Sequence, residues 1–181
     1  MDANRQGIDD QRDPSTLSSS ELIRWMPGMY ISGTDQRALH YVVWCLIGHA
    51  LQESAHGAGH QISVTLDIDN RVRISDDGLG LSIAPDPSTG QPWVERAFTV
   101  YWAWGQASEY TTRANRRRPT FYAGLAVPVA LAEQLSVEIK QQGAVWNLVY
   151  VKGECQTKLT RIRELVDPTE TGSVAKSGTV G

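Results

Sequence analysis

Two stretches of this chain carry residue types that could do chemistry. In Ile74-Ser75-Asp76-Asp77-Gly78-Leu79-Gly80-Leu81 a carboxylate pair is followed by two glycines one residue apart. A carboxylate at the end of a hairpin can accept hydrogen bonds from a ligand amine. Glycines lack a Cβ and tolerate φ > 0, so they let backbone pass close to that ligand. The same letters also spell an ordinary turn. The second stretch is a polar stripe of Cys45, His49, Gln52 and His56, spaced i, i+4, i+7, i+11 and therefore on one helix face. Cys and His one turn apart, with Glu53 and His60 nearby, can share a transition metal. No CxxC or HExxH spacing supports a metal, and a pocket wall carrying polar groups is the plainer account, so no metal ligand is assigned.

The elements that must position these residues follow from periodicity. Gln61 to Ile68 alternates Ile62, Val64, Leu66 and Ile68 with Ser63, Thr65 and Asp67, which predicts a half-buried strand. A second short strand, Arg71 to Ser75, follows the turn Asp69-Asn70 and delivers the chain to Asp76. From Gln36 to Ala55, apolar residues at Leu39, Val42, Val43, Leu46, Ile47, Ala50 and Leu51 predict a helix with a wide buried face. Ahead of it, Ser18 and Glu21 have capping-box spacing before a short helical turn ending near Pro27-Gly28. Beyond the glycines lies a Pro-rich loop, Pro85 to Pro92, then a helix over about Trp93 to Trp104. A polar loop spans Gln106 to Pro119 and carries Arg113, Arg116, Arg117 and Arg118. A helix is expected over Gly124 to Leu135, starting at about Leu125 because Pro128 is tolerated only in a first turn. A second hairpin, Ser136 to Lys140 and Val145 to Val151, turns at Gln142-Gly143. The order predicts an α+β two-layer sandwich, helices on one face of a mainly antiparallel sheet.

Composition agrees with one such unit. At 181 residues, 41% hydrophobic and 20% charged, the chain has material for one sizeable core. The division expected is a flexible arm over residues 1–19 and one domain over 20–181. A net charge of −3 supplies no global basic field, so DNA is not directly indicated as a partner. No apolar run reaches membrane-spanning length and no signal peptide precedes the domain. Cys45 and Cys155 form no disulfide or metal pattern. A cytoplasmic protein is the expectation.

Met26-Pro27-Gly28-Met29-Tyr30-Ile31, the Asp76–Leu81 block and Val151-Lys152-Gly153-Glu154 occur in an order that carries a resemblance. From about Ser18 to Gly172 the chain resembles the N-terminal ATPase domain of the DNA gyrase B subunit and its topoisomerase IV equivalent. These are members of the GHKL group (gyrase, heat-shock chaperone, histidine kinase, MutL), whose ATP-binding fold is also known as the Bergerat fold. The resemblance implies that Asp76 recognises the adenine amino group and that Gly78 and Gly80 let the strand end approach the base. The family arginine between those glycines is Leu79 here.

Other motifs depart from the family. The position of its water-activating glutamate is Cys45, and that of its Mg²⁺-binding asparagine is His49. A thiol orients water as an anion only with a depressed pKa, and imidazole is a poor ligand for a hard, oxygen-seeking ion. The glycine-rich phosphate cradle has become Thr120-Phe121-Tyr122-Ala123-Gly124, where only Gly124 matches. The histidine-and-glycine stretch before the lid has become Trp102-Ala103-Trp104-Gly105. The arginine run lies where the family has its lid, and reads as a solvated loop, a source of phosphate charge or a nucleic-acid contact. A strand start that closes the pocket matches both Thr171-Gly172-Ser173 and Ser177-Gly178-Thr179.

The resemblance therefore implies a degenerate domain: nucleotide-binding residues Asp76, Gly78, Gly80, His49 and Gly124, no catalytic residue, ATP or ADP as ligand, and Mg²⁺ doubtful. Its alternative is a pseudo-ATPase that binds no nucleotide and serves as a dimerisation or regulatory module. An active enzyme would need other groups, such as Glu53. In the family the N-terminal arm wraps a partner, so a homodimer or a gyrase-type subunit is the expected protein partner. Toprim and cleavage domains do not fit in this length, so the chain alone is not expected to act as a topoisomerase.

Overall fold

The computed structural model describes residues 13–31, 33–55, 59–68, 71–101 and 124–177. Helices α1 (Ser19–Trp25), α2 (Gly28–Ile31) and α3 (Gln36–Ala55) lead into strands β1 (Ile62–Leu66) and β2 (Val72–Asp76). Helix α4 (Trp93–Thr99) and helix α5 (Ala126–Leu131) follow. Strands β3 (Gln134–Gln141), β4 (Ala144–Val151), β5 (Glu154–Glu164) and β6 (Gly172–Ser177) complete the chain. The six strands form one antiparallel sheet in the order β1-β2-β6-β3-β4-β5. No helix among the described residues is long and apolar enough to cross a membrane.

Local chemistry explains the boundaries that agree with expectation. The Ser18 hydroxyl accepts from the Glu21 amide at 3.3 Å, and the Glu21 carboxylate accepts from the Ser18 amide at 2.8 Å, which is the reciprocal capping box. Helix α3 covers the predicted span, with Ala38, Val42, Leu46 and Ala50 buried. Pro128 is the third residue of α5, where its missing amide breaks no intrahelical bond. Gln142 and Gly143 have φ of 54° and 71°, the paired left-handed residues that match hairpin twist. Lys152 and Gly153, at 50° and 87°, turn β4 into β5 in the same way.

Four expectations are corrected. Helix α5 ends at Leu131, because Gln134 and Leu135 are drawn into β3. Helix α4 ends at Thr99, with Val100 extended. Strand β1 is exposed at Val64 and Leu66 on the face expected to be buried. It is the sheet edge, and α3 packs over β2 instead. Leu51 likewise points outward from α3. Strand β5 was not legible from sequence, and of β6 only its start was offered, as one of two candidate segments. The arm to residue 12, Asp69-Asn70, the loop and arginine run within 102–123, and residues 178–181 lie outside the described residues.

The core fills the space between sheet and helices. Leu46, Phe98, Leu125, Leu135, Ile139 and Leu148 belong to one buried cluster. Ile23, Ile31, Val42 and Ala130 form a second that seats α1 and α2 against α5. Tyr30 meets Tyr101 edge-on at 4.8 Å there. Arg24 Nη1 donates to the Ala130 carbonyl at 2.6 Å, which satisfies a carbonyl that α5 leaves open near its end. The capping box starts the helix that seals this cluster. Ser18→Ala is therefore expected to lower stability by about 1 kcal/mol, read as a reduced urea midpoint with an unchanged m-value.

Candidate functional site

The carboxylate pair divides its roles. Asp77 faces solvent and accepts from the amides of His60 and Gln61, each at 2.8 Å, so it pins the start of β1 to the end of β2. Those amide bonds hold its carboxyl below the usual carboxylate range. Asp76 points the other way, toward α3. Its Oδ1 accepts from the Gly78 amide at 3.0 Å, and its Oδ2 accepts from the Ser173 hydroxyl. Ser173 is opposite Asp76 in the β2–β6 register. Thr171-Gly172-Ser173 is thus the strand start that reaches the aspartate, whereas Ser177 pairs with Val72 and Leu135 at the far end of β6.

The glycines are spatial necessities. A Cβ on Gly172 would stand 2.5 Å from the Asp76 carbonyl oxygen, and one on Gly80 (φ 70°) would press on Ile139 and the Gly172 carbonyl. Gln141, unforeseen in the sequence, fastens the loop between them. Its Nε2 donates to the Leu79 carbonyl at 2.7 Å, and its Oε1 accepts from the Ile83 amide at 3.4 Å. Only the sheet register brings Gln141 there.

His49 and Asp76 line one cavity with Ser173, Phe98 and Ile139. It measures about 20 Å³, room for a single water molecule. His49 is only 7% exposed. Burial pulls its imidazole down to about 4, opposed by the charge of Asp76, so the ring is neutral at physiological pH. Cys45, one turn earlier on α3, meets Gly124: a Cβ on Gly124 would lie 2.9 Å from the thiol Sγ. Burial pushes that thiol up to about 11, with a smaller opposing effect from Tyr41, so it stays protonated. The structure therefore brings Asp76 and His49 to one cavity with Gly78 beside the carboxylate, seats Gly80 against Ile139 and Gly172, and sets Cys45 and Gly124 against each other. The side chains of Gln52 and Glu53, with His56, Phe121 and Tyr122, lie outside the described residues.

Among the described residues no group of three or more His, Cys, Asp or Glu side chains is placed to hold a metal ion. At the two α3 positions, a buried neutral imidazole and a protonated thiol offer a metal ion no hard oxygen; the oxygens that line the cavity are those of Asp76 and Ser173. A buried carboxylate, Glu95 on α4, is structural. Its Oε1 accepts from the Leu159 amide at 2.8 Å and ties β5 to the helix layer. Asp86 is buried too, paired with Arg96 and accepting from the Ser88 amide at 2.8 Å, which closes the loop after the glycines.

Comparison with known proteins gives a consistent set of relatives. The chain is 34% identical over 140 residues to the type 2 topoisomerase B subunit of Aquifex aeolicus, covering 76% of this chain and 17% of that protein. It is 32% identical over 141 residues to the DNA gyrase B subunit of Micrococcus luteus, covering 77% and 19%. It is 30% identical over 166 residues to that of Staphylococcus aureus, covering 91% and 24%. It spans only about a fifth of the length of these curated relatives. Among solved structures, the 43K ATPase domain of Thermus thermophilus gyrase B, in complex with an aminocoumarin, superposes with a TM-score of 0.72 at 24% identity. That match covers 90% of this chain and 39% of the other. No family model matches.

Two outcomes follow from the burial of α3. Gly124→Ala is expected to cost about 1–3 kcal/mol by overpacking, and Cys45→Ala to recover part of it in a double-mutant cycle measured by urea unfolding. His49 takes up a proton in the unfolded chain near 6.5 but in the folded chain only near 4. Its contribution to stability is therefore complete above 6.5 and lost as pH falls from 6.5 to 4, on the order of 3 kcal/mol. The difference between the stability–pH curves of the parent and His49→Asn should show that loss in this window.

Proposed function

Because the chain is a homologue of DNA gyrase B subunits with the fold of their ATPase domain, we propose that it recognises the adenine end of an adenine nucleotide, weakly, with hydrolysis slow or lost. The contrast between two side chains carries this reading. The Asp76 carboxylate is oriented by Ser173 and Gly78, and with about four lone-pair sites it retains acceptor capacity for an exocyclic amine. Cys45, at the position where the family activates water, is a protonated thiol packed on Gly124. A group that cannot take a proton near neutral pH forfeits general-base catalysis, typically about 10²–10⁴ in rate.

In this reading ATP or ADP binds through its base, and magnesium contributes little. His49 forms a neutral wall beside the base. The polar arm of residues 1–19 contacts a second copy or a gyrase-type subunit in a cytoplasmic setting, and DNA is not directly indicated as a partner. A second reading is favoured by the cavity of about 20 Å³, which admits water and no purine. The domain would then be a pseudo-ATPase acting as an interaction module.

Thermal unfolding with millimolar ATP, with and without Mg²⁺, separates the two. A ligand bound only to the folded state adds RT ln(1 + [L]/Kd) of stability. The first reading expects a rise in Tm that is indifferent to Mg²⁺ and disappears in Asp76→Asn. A rise that survives Asp76→Asn refutes the adenine assignment, and no rise at all favours the interaction module. Mg²⁺-dependent turnover that is abolished in Glu53→Gln would refute the loss of hydrolysis.

A further inference from the structure

A larger recess lies toward the other end of the sheet from Asp76. It is an open cleft of about 600 Å³ over the ends of β2, β6 and β3, and its lining includes Asp67, Arg71, Arg73, Glu133, Ser136 and Lys176. In the β2–β6 register Asp76 is opposite Ser173, and Val72, at the cleft, is opposite Ser177. Four strand residues, about 13 Å, therefore separate the cleft from the aspartate. Arg73, Lys176 and Ser136 are register partners on three neighbouring strands. They share the sheet face that turns away from the helices, since side chains alternate and Ile74 and Val137 face the core.

The charges there are unevenly satisfied. Asp67 accepts from the Arg71 amide at 2.9 Å, and Glu133 pairs with Lys152 at 3.1 Å. The guanidinium groups of Arg71 and Arg73, by contrast, have no acceptor among the described residues. Lys176 Nζ donates to Glu138 Oε1 at 2.7 Å, a partly exposed ion pair of the kind that adds little stability and is readily exchanged. Ser136 Oγ accepts from the Asn147 side-chain amide at 3.1 Å, which leaves the hydroxyl proton available to a ligand oxygen.

We propose that this cleft binds a compact phosphorylated molecule carrying a diphosphate unit, held by Arg71, Arg73 and Lys176. A guanidinium presents parallel N–H donors that match two oxygens of one phosphate. Arg71 just precedes β2 and Arg73 lies within it, so the two side chains leave the same face about 7 Å apart at Cα. Each can take one phosphate of a linked pair, with Lys176 across the strand gap. Three cations suit the several charges of a diphosphate better than the single charge of a carboxylate. The flanking acids select against an extended polyanion, because a nucleic-acid strand leaving the cleft would pass Asp67 or Glu133. The cleft also falls within the roughly 300–1,000 Å³ of small-molecule sites. It shares no lining residue with the cavity at Asp76, so this inference does not rest on the adenine reading.

Isothermal titration of the full chain with inorganic pyrophosphate tests the proposal. Saturable binding is expected, weakened on the order of tenfold by Arg71→Gln and by Arg73→Gln. Circular dichroism should be unchanged in both, because both side chains are exposed. Glu138→Gln releases Lys176 and should tighten binding, a gain that a merely structural role would not produce. Arg117→Gln, in the arginine run of residues 113–118, should leave the affinity as it is. Absence of binding would overturn the proposal. So would binding that is lost in Arg117→Gln and kept in Arg71→Gln and Arg73→Gln. A single-stranded oligonucleotide that binds through Arg71 and Arg73 where pyrophosphate does not would overturn the choice of ligand and put a nucleic acid in its place.

Discussion

Strand β6 enters the sheet through a gap that only a hydrogen atom can occupy. Gly172 passes so close to the carbonyl of Asp76 that any side chain would overlap it. That approach sets Ser173 opposite Asp76, and the hydroxyl then fixes the carboxylate. Among the described residues, the same strand links the β1–β2 hairpin to the β3–β4–β5 meander within the sheet. One pairing therefore closes the sheet and orients the candidate ligand contact. Gly80 serves it from the other side, where the loop after the carboxylates must run flush with Ile139. Gln141 holds that loop down through backbone groups that would otherwise lack sheet partners.

Helix α3 shows how burial decides charge. The positions facing the sheet and α5 hold a cysteine and a histidine, and both are neutral for the same reason: removal from water penalises the ionised form. A hydrolytic site needs the opposite, ionised or strongly polar groups kept ready by partners. The packing that makes α3 a good core helix is thus also the packing that keeps these two side chains uncharged. Asp76 instead lies at a strand end, only partly buried, with two donors aimed at it.

What was legible in the sequence has a common property. The capping box at Ser18 and Glu21, the span of α3, the Gln142-Gly143 turn and the strand ending at Asp76 are each set by a few neighbouring residues. The elements that differ from expectation depend on distant ones. Leu135 sits in a locally helical pattern, and pairing with Tyr150 and Ser177 makes it strand. Val64 and Leu66 alternate as a half-buried strand should, yet among the described residues α3 packs over β2 and leaves their edge of the sheet exposed. Strand β5 is exposed almost throughout and shows no alternation, and it is held by pairing with β4 and by Glu95 from another layer.

Residue order alone is enough to specify the helices and turns whose signals are local, the α+β class, and Asp76 as the carboxylate to watch. Hydrogen-bonding caps, left-handed turn residues and apolar periodicity act over a handful of positions, so they can be read in order along the chain. It took the folded arrangement to settle which of two glycine-containing segments meets Asp76, that Asp77 serves the hairpin instead, and that burial holds Cys45 and His49 in their neutral forms. Those outcomes depend on strand order and on how much water each side chain keeps, and both are set by residues far apart in the chain that touch only once it is folded.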